Sequence, residues 1–85
     1  MGLRDMDRHT ERENAMRVGI VGVGLLGAQH AKLAITHPDV TLSAVADTRL
    51  SVGRKVSAET DSQHYRDYKK MLALEELECV IIATP

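Results

Sequence analysis

The sequence predicts an α/β fold: a four-stranded parallel sheet, ordered 3-2-1-4, with three helices. Three observations predict it. Apolar, β-branched runs alternate with stretches of helical spacing, in the order strand, helix, strand, helix, strand, helix, strand. The first run, Arg17 to Gly27, passes through Val18-Gly19-Ile20-Val21 into glycines at 22, 24 and 27. The second run ends on an acid, Asp47, 20 residues after Gly27. Alternation of this kind implies parallel strands joined by right-handed crossovers.

The elements follow in order. Met1 to Ala15 carries Arg4, Asp5, Asp7, Arg8, Glu11, Arg12 and Glu13 with almost nothing to bury. It is expected to be a disordered charged leader or a frayed helix, with a docking tail as the alternative. Met16 is a candidate natural start. Val18 to Val23 is the first strand, without the polar alternation of a half-exposed one. Gly24 to Thr36 is the first helix, with Leu26, Leu33 and Ala34, flanked by Ala31 and Ile35, as its buried stripe. Pro38 stops it. Val40 to Ala46 is the second strand. Ser51 to Thr60 is the second helix, with Val52, Val56 and Glu59 at helical spacing and Gly53 counting against it. Gln63 to Tyr65 is a short third strand. Tyr68 to Leu77 is the third helix, with Met71, Leu72 and Leu74 inward. Cys79 to Ala83 is the fourth strand, and Thr84-Pro85 begins its exit.

Composition limits the function classes. The chain has 85 residues, 44% of them apolar, with no Phe or Trp and two Tyr, so one small aliphatic core is expected. A net charge of −1 gives no electrostatic case for nucleic acid or an anionic membrane. The longest apolar run, Val18 to Ala28, is 11 residues, too short to span a bilayer. The single cysteine, Cys79, excludes an internal disulfide framework; its apolar neighbours predict a buried, inert thiol in a reduced, cytoplasmic protein. His9, His30, His37 and His64 form no metal set, and Glu75, Glu76 and Glu78 read as a solvated helix end.

The chemistry lies in Gly22-x-Gly24-x-x-Gly27. Gly22 lets the chain turn off the strand, Gly24 lets backbone approach a ligand, and Gly27 lets the helix pack closely. The free N–H groups of the helix start then favour an anion, the pyrophosphate of a dinucleotide. The context is required as much as the glycines: strand before, helix after, then a second strand ending in Asp47. That carboxylate suits the adenosine ribose hydroxyls; the alternative is that Asp47 only caps the next turn. A carboxylate there repels a 2′-phosphate and so favours NAD over NADP. Arg49 is either a solvated loop residue or within reach of such a phosphate. His30 reads as a packed or surface helix residue, with a phosphate contact as the minor alternative.

Several blocks carry a family resemblance. Met16 to Gly27 followed by His30-Ala31, then Ala44-Val45-Ala46-Asp47, Tyr68-Lys69-Lys70-Met71-Leu72 and Val80-Ile81-Ile82-Ala83-Thr84-Pro85, together resemble the N-terminus of the Gfo/Idh/MocA oxidoreductases. The likeness covers Met16 to Pro85. It implies a partial Rossmann fold over 16–85 that binds NAD, or NADP, through Gly22, Val23, Gly24, Leu25, Leu26 and Gly27 at the phosphates and Asp47 at the ribose. It also implies that Ala83, Thr84 and Pro85 run along the cofactor toward the nicotinamide. The implied parent is a homo-oligomeric enzyme moving a hydride to or from a sugar, polyol or related small molecule. The family's Glu-Lys-Pro motif and its catalytic Asp and His positions would lie beyond Pro85. The expectation is therefore a cofactor-binding fragment that does not turn over substrate alone. A non-enzymatic dinucleotide sensor is the alternative. A class I methyltransferase fits less well, because Leu26 stands where its loop has a third glycine.

Overall fold

A computed structural model describes residues 15–84; residues 1–14, which hold most of the expected leader, and Pro85 lie outside the described residues. The element order is β1 (Met16–Val21), α1 (Leu25–Thr36), β2 (Val40–Ala46), α2 (Leu50–Thr60), β3 (Gln63–Tyr65), α3 (Tyr68–Leu74) and β4 (Cys79–Ile82). All pairings are parallel and the strands lie in the order β3-β2-β1-β4, as the alternation predicts. Ala15, assigned to the leader, is buried. β1 starts and ends two residues earlier than expected, because Gly22 already turns with φ +88°.

Both faces of the sheet are covered. Ile20, Leu42 and Val45 pack with Val23, Ala31 and Val56 on the face carrying α1 and α2. Ala44 and Ala46 pack with Met71 on the face carrying α3. Leu42 and Ala44 would share a face in a regular strand. They do not, because the β1–β2 register jumps from Val18↔Leu42 to Gly19↔Ala44, leaving Ser43 as a bulge.

Three side-chain expectations are corrected. The sheet-facing stripe of α1 is small, with Gly27 and Ala31 buried and Ala28 and Ala34 partly so, while Leu26 (57% exposed), Leu33 (67%) and Ile35 face away from the core. Close approach of this helix leaves no room for leucine on that stripe. Glu59 is exposed; Gly53, Val56 and Thr60 are the buried residues of α2. α3 ends at Leu74 rather than Leu77, and only Met71 is buried on it; Leu72 and Leu74 are exposed. The chain leaves the helix at Glu75 and brings Leu77 back against the second cluster instead. Cys79 is exposed, not buried, because β4 is an edge strand and Cys79 is its first residue.

Candidate functional site

The carboxyl ends of the strands are held in register by backbone hydrogen bonds. Gly22 N–H donates to Ala46 O (2.7 Å), Asp47 N–H to Tyr65 O (3.0 Å) and Ala83 N–H to Val21 O (2.9 Å). The two neighbours of β1 diverge here, β2 to one side and β4 to the other. This is the switch point at which open α/β sheets bind ligands.

Two glycines are required by the geometry. Gly22 has φ +88°, which side chains on L-residues rarely adopt, and a Cβ there would meet Thr84 Cγ2 at 2.5 Å. A Cβ on Gly27 would collide with the Gly22 carbonyl oxygen. The start of α1 therefore sits directly on the turn out of β1. Its N-cap, Gly24, makes no side-chain cap, and its first turn has no acidic residue. The leading N–H groups and the positive end of the helix dipole thus face the cleft without a side-chain anion of their own. This cradle, which a Cβ would fill, fits a pyrophosphate.

Asp47 closes the other side. Its side chain is 4% exposed, yet it is fully hydrogen-bonded. Oδ2 accepts from Val23 N–H (3.0 Å) and Arg49 Nη2 (2.9 Å); Oδ1 accepts from Arg49 N–H (2.9 Å) and Arg49 Nε (3.0 Å). The Arg49 side chain, the backbone N–H groups of Arg49 and Val23, and the Arg49 charge together outweigh burial and hold the carboxyl down to about 2. The same pairing raises Arg49. Arg49 is thus ion-paired with Asp47 while remaining a solvated loop residue, its side chain 60% exposed. Turn capping and cleft placement are both properties of the one Asp47 carboxylate.

Two clefts meet at Arg49. One, of about 430 Å³, is lined by Gly22, Asp47, Thr48, Arg49, Arg66 and Tyr68 among others. The other, of about 470 Å³, is lined by Gly22, Gly24, Leu25, Leu26, Ala83 and Thr84, again with Arg49. The residues expected from the sequence therefore converge: Gly22, Gly24, Leu25, Leu26, Asp47, Arg49, Ala83 and Thr84 line the clefts. Val23 contributes its N–H to Asp47, and Gly27 supports the cradle from behind. Pro85 lies outside the described residues.

Sequence reasoning missed Arg66, Tyr68 and His64. The imidazole Nε2 of His64 lies 3.1 Å from Asp47 O, and its ring occupies the space a Cβ on Gly53 would need. The glycine that counts against α2 as a helix is the seat of this histidine. Glu75, expected to be solvated, accepts from Tyr65 O–H (2.7 Å), raising the Tyr65 phenol. Among the described residues no cluster of His, Cys, Asp and Glu could hold a metal ion, and no helix is long and apolar enough to cross a membrane.

The family profile of oxidoreductases with the NAD-binding Rossmann fold, Gfo/Idh/MocA, matches residues 16–85. The chain belongs to the Gfo/Idh/MocA oxidoreductase family. A glycosyl hydrolase family 109 protein of Saccharopolyspora erythraea is 32% identical over 85 aligned positions, covering 88% of this chain and 18% of that protein. Among solved structures, GenD2 from gentamicin A biosynthesis in complex with NAD superposes with TM-score 0.80 at 28% identity, over 85% of this chain and 21% of its own. Myo-inositol 2-dehydrogenase from Lactobacillus plantarum gives TM-score 0.78 at 26% identity, over 84% of this chain and 22% of its own. This Gfo/Idh/MocA chain therefore spans about a fifth of the length of the relatives it matches.

Proposed function

We propose that this chain is the cofactor-holding part of a nicotinamide-dependent oxidoreductase whose substrate is a sugar, polyol or related small molecule. The observation that carries the reading is the cradle: Gly22 and Gly27 in contact, an uncapped helix start, and Asp47 tied by Val23 to the loop between them. In this reading the N–H groups of Leu25, Leu26 and Gly27 bind the pyrophosphate. Asp47 and Arg49 meet the adenosine ribose. Ala83, Thr84 and Pro85 run beside the nicotinamide half. When bound, the nicotinamide would supply the hydride chemistry, and the chain's own residues would orient the dinucleotide and hydrogen-bond its pyrophosphate. Substrate contacts and the proton-transfer group are assigned to segments other than this one, in line with the share of its relatives that the chain spans.

The glycosyl hydrolase relative supports a second reading for the parent activity, cleavage of a sugar's glycosidic bond, a redox-neutral reaction. Net formation of reduced nicotinamide separates the first reading from the second.

Calorimetric titration of the 85-residue chain with NAD tests the cofactor role. Saturable one-to-one binding is expected. A chain that is folded by circular dichroism yet binds neither NAD nor NADP overturns the reading.

A further inference from the structure

On the cofactor reading above, which this proposal takes as its basis, whatever fixes Asp47 also fixes the ribose contact. The backbone N–H of Asp47 donates to Tyr65 O at 3.0 Å, and its carboxylate is held by Val23 and Arg49. Its carbonyl is held by a side chain. Asp47 O can only accept, so the His64 imidazole donates to it from Nε2, at 3.1 Å. The ring is seated in turn on Gly53, which closes the first turn of α2 by donating from its N–H to Arg49 O at 3.0 Å. A Cβ at Gly53 would fall on the His64 ring, with Nε2 as its nearest atom. The bare backbone at 53 and the hydrogen bond to Asp47 therefore depend on the same nitrogen. His64 lines the neighbouring cleft with Thr48, Arg66 and Lys69, whereas Asp47 and Arg49 line the cleft of about 430 Å³. Its link to the ribose site thus runs through Asp47.

We propose that His64 is a positioning residue for the ribose carboxylate, and that Gly53 exists to seat it. The imidazole joins β3 and the start of α2 to the loop that carries Asp47 and Arg49. With its N–H, carbonyl and carboxylate all fixed, Asp47 is presented to the ribose with little left to order on binding. Glycine inside a helix is less favourable than alanine. At position 53 that loss makes room for the ring, and an alanine there would displace the atom that holds the Asp47 carbonyl.

The test compares wild type, H64A, H64Q, G53A and G53A/H64A as the 85-residue chain, by NAD titration and thermal melting. H64A should weaken NAD binding about fivefold, the worth of one hydrogen bond. H64Q, whose amide nitrogen can stand where the imidazole Nε2 stands, should return to within about twofold of wild type. G53A should weaken binding as H64A does, because its methyl displaces the ring. In the H64A background the seat is empty. There G53A should leave affinity where H64A left it and raise Tm, alanine being the better helix former. Once Asp47→Ala has removed the carboxylate, H64A should weaken binding no further. A general loss of packing would act in both backgrounds and would not be rescued by H64Q. NAD affinity untouched by H64A, H64Q no better than H64A, or an equal rise in Tm from G53A in both backgrounds overturns the proposal while leaving the cofactor reading standing. A folded wild type that binds neither NAD nor NADP overturns both.

Discussion

With four donors on two oxygens, the Asp47 carboxylate has no idle lone pair. Two donors are backbone N–H groups that stay in place. The other two belong to the Arg49 side chain and can be shared with or displaced by ribose hydroxyls. The apo geometry and the ribose reading are therefore compatible, at the cost of moving one guanidinium. The folded carboxyl lies near 2 against 3.8 for an unperturbed one, so protonation is harder in the folded state. Its contribution to stability is complete above about pH 4 and is lost as pH falls toward 2; integrated, it is about 2 kcal/mol. Urea unfolding at a series of pH values should show Asp47→Asn less stable than wild type near neutrality, with the gap closing toward pH 2. A gap independent of pH would mean that the shape of the side chain, not its charge, is what matters.

At the scale of elements, the first turn of α1 is set by what glycine leaves free. Gly27→Ala places a methyl against a backbone carbonyl that cannot swing away, and should destabilise the domain by about 3 kcal/mol. Gly24→Ala meets the tip of Arg49 at 3.1 Å, a flexible group, so the fold should survive while dinucleotide affinity falls about tenfold. Thermal melts and NAD titrations of the two variants check this pair; equal loss of stability would refute it. The glycine spacing and the strand-ending acid were legible because they are local signals with fixed offsets. The Ser43 bulge was not: Val40 to Ala46 reads as a single continuous strand, and only its partner's register reveals the extra residue. Arg66 was illegible for a similar reason. It lies 19 positions after Asp47 and enters the cleft only because β3 pairs beside β2. The leucines of α1 misled because spacing gives a face but not the distance to the sheet. Gly27 fixes that distance, and it admits alanine there.

For the whole molecule, the core is small and the apolar surface is large. Among the described residues Ile20, Val23, Val45 and Met71 are the largest fully buried side chains, while Leu25, Leu33, Leu74 and Ile82 are well exposed. Stability should therefore respond very unevenly to loss of an apolar side chain. Ile20→Ala should cost about 3 kcal/mol and Leu33→Gln less than about 0.5 kcal/mol. Chemical denaturation of the two variants measures the contrast, and a large cost at Leu33 would mean that this surface is covered in solution.

The all-parallel sheet also has a kinetic consequence. Among the described residues no two strands are joined by a hairpin, so no pair of them can close locally and seed the rest. The Val23–Asp47 link spans 24 positions, and the Arg17–Glu78 contact beside β4 spans 61. High contact order of this kind slows folding, because loop entropy is lost before any pairing compensates it. Contact order therefore predicts that the two walls of the cleft mature at different times. The Asp47 wall is complete once β2 docks on β1, whereas the Thr84 wall waits for the most distant pairing in the sheet. A ligand that bridges both walls would act on the late step, holding β4 in place more than it reshapes the loop that first receives it.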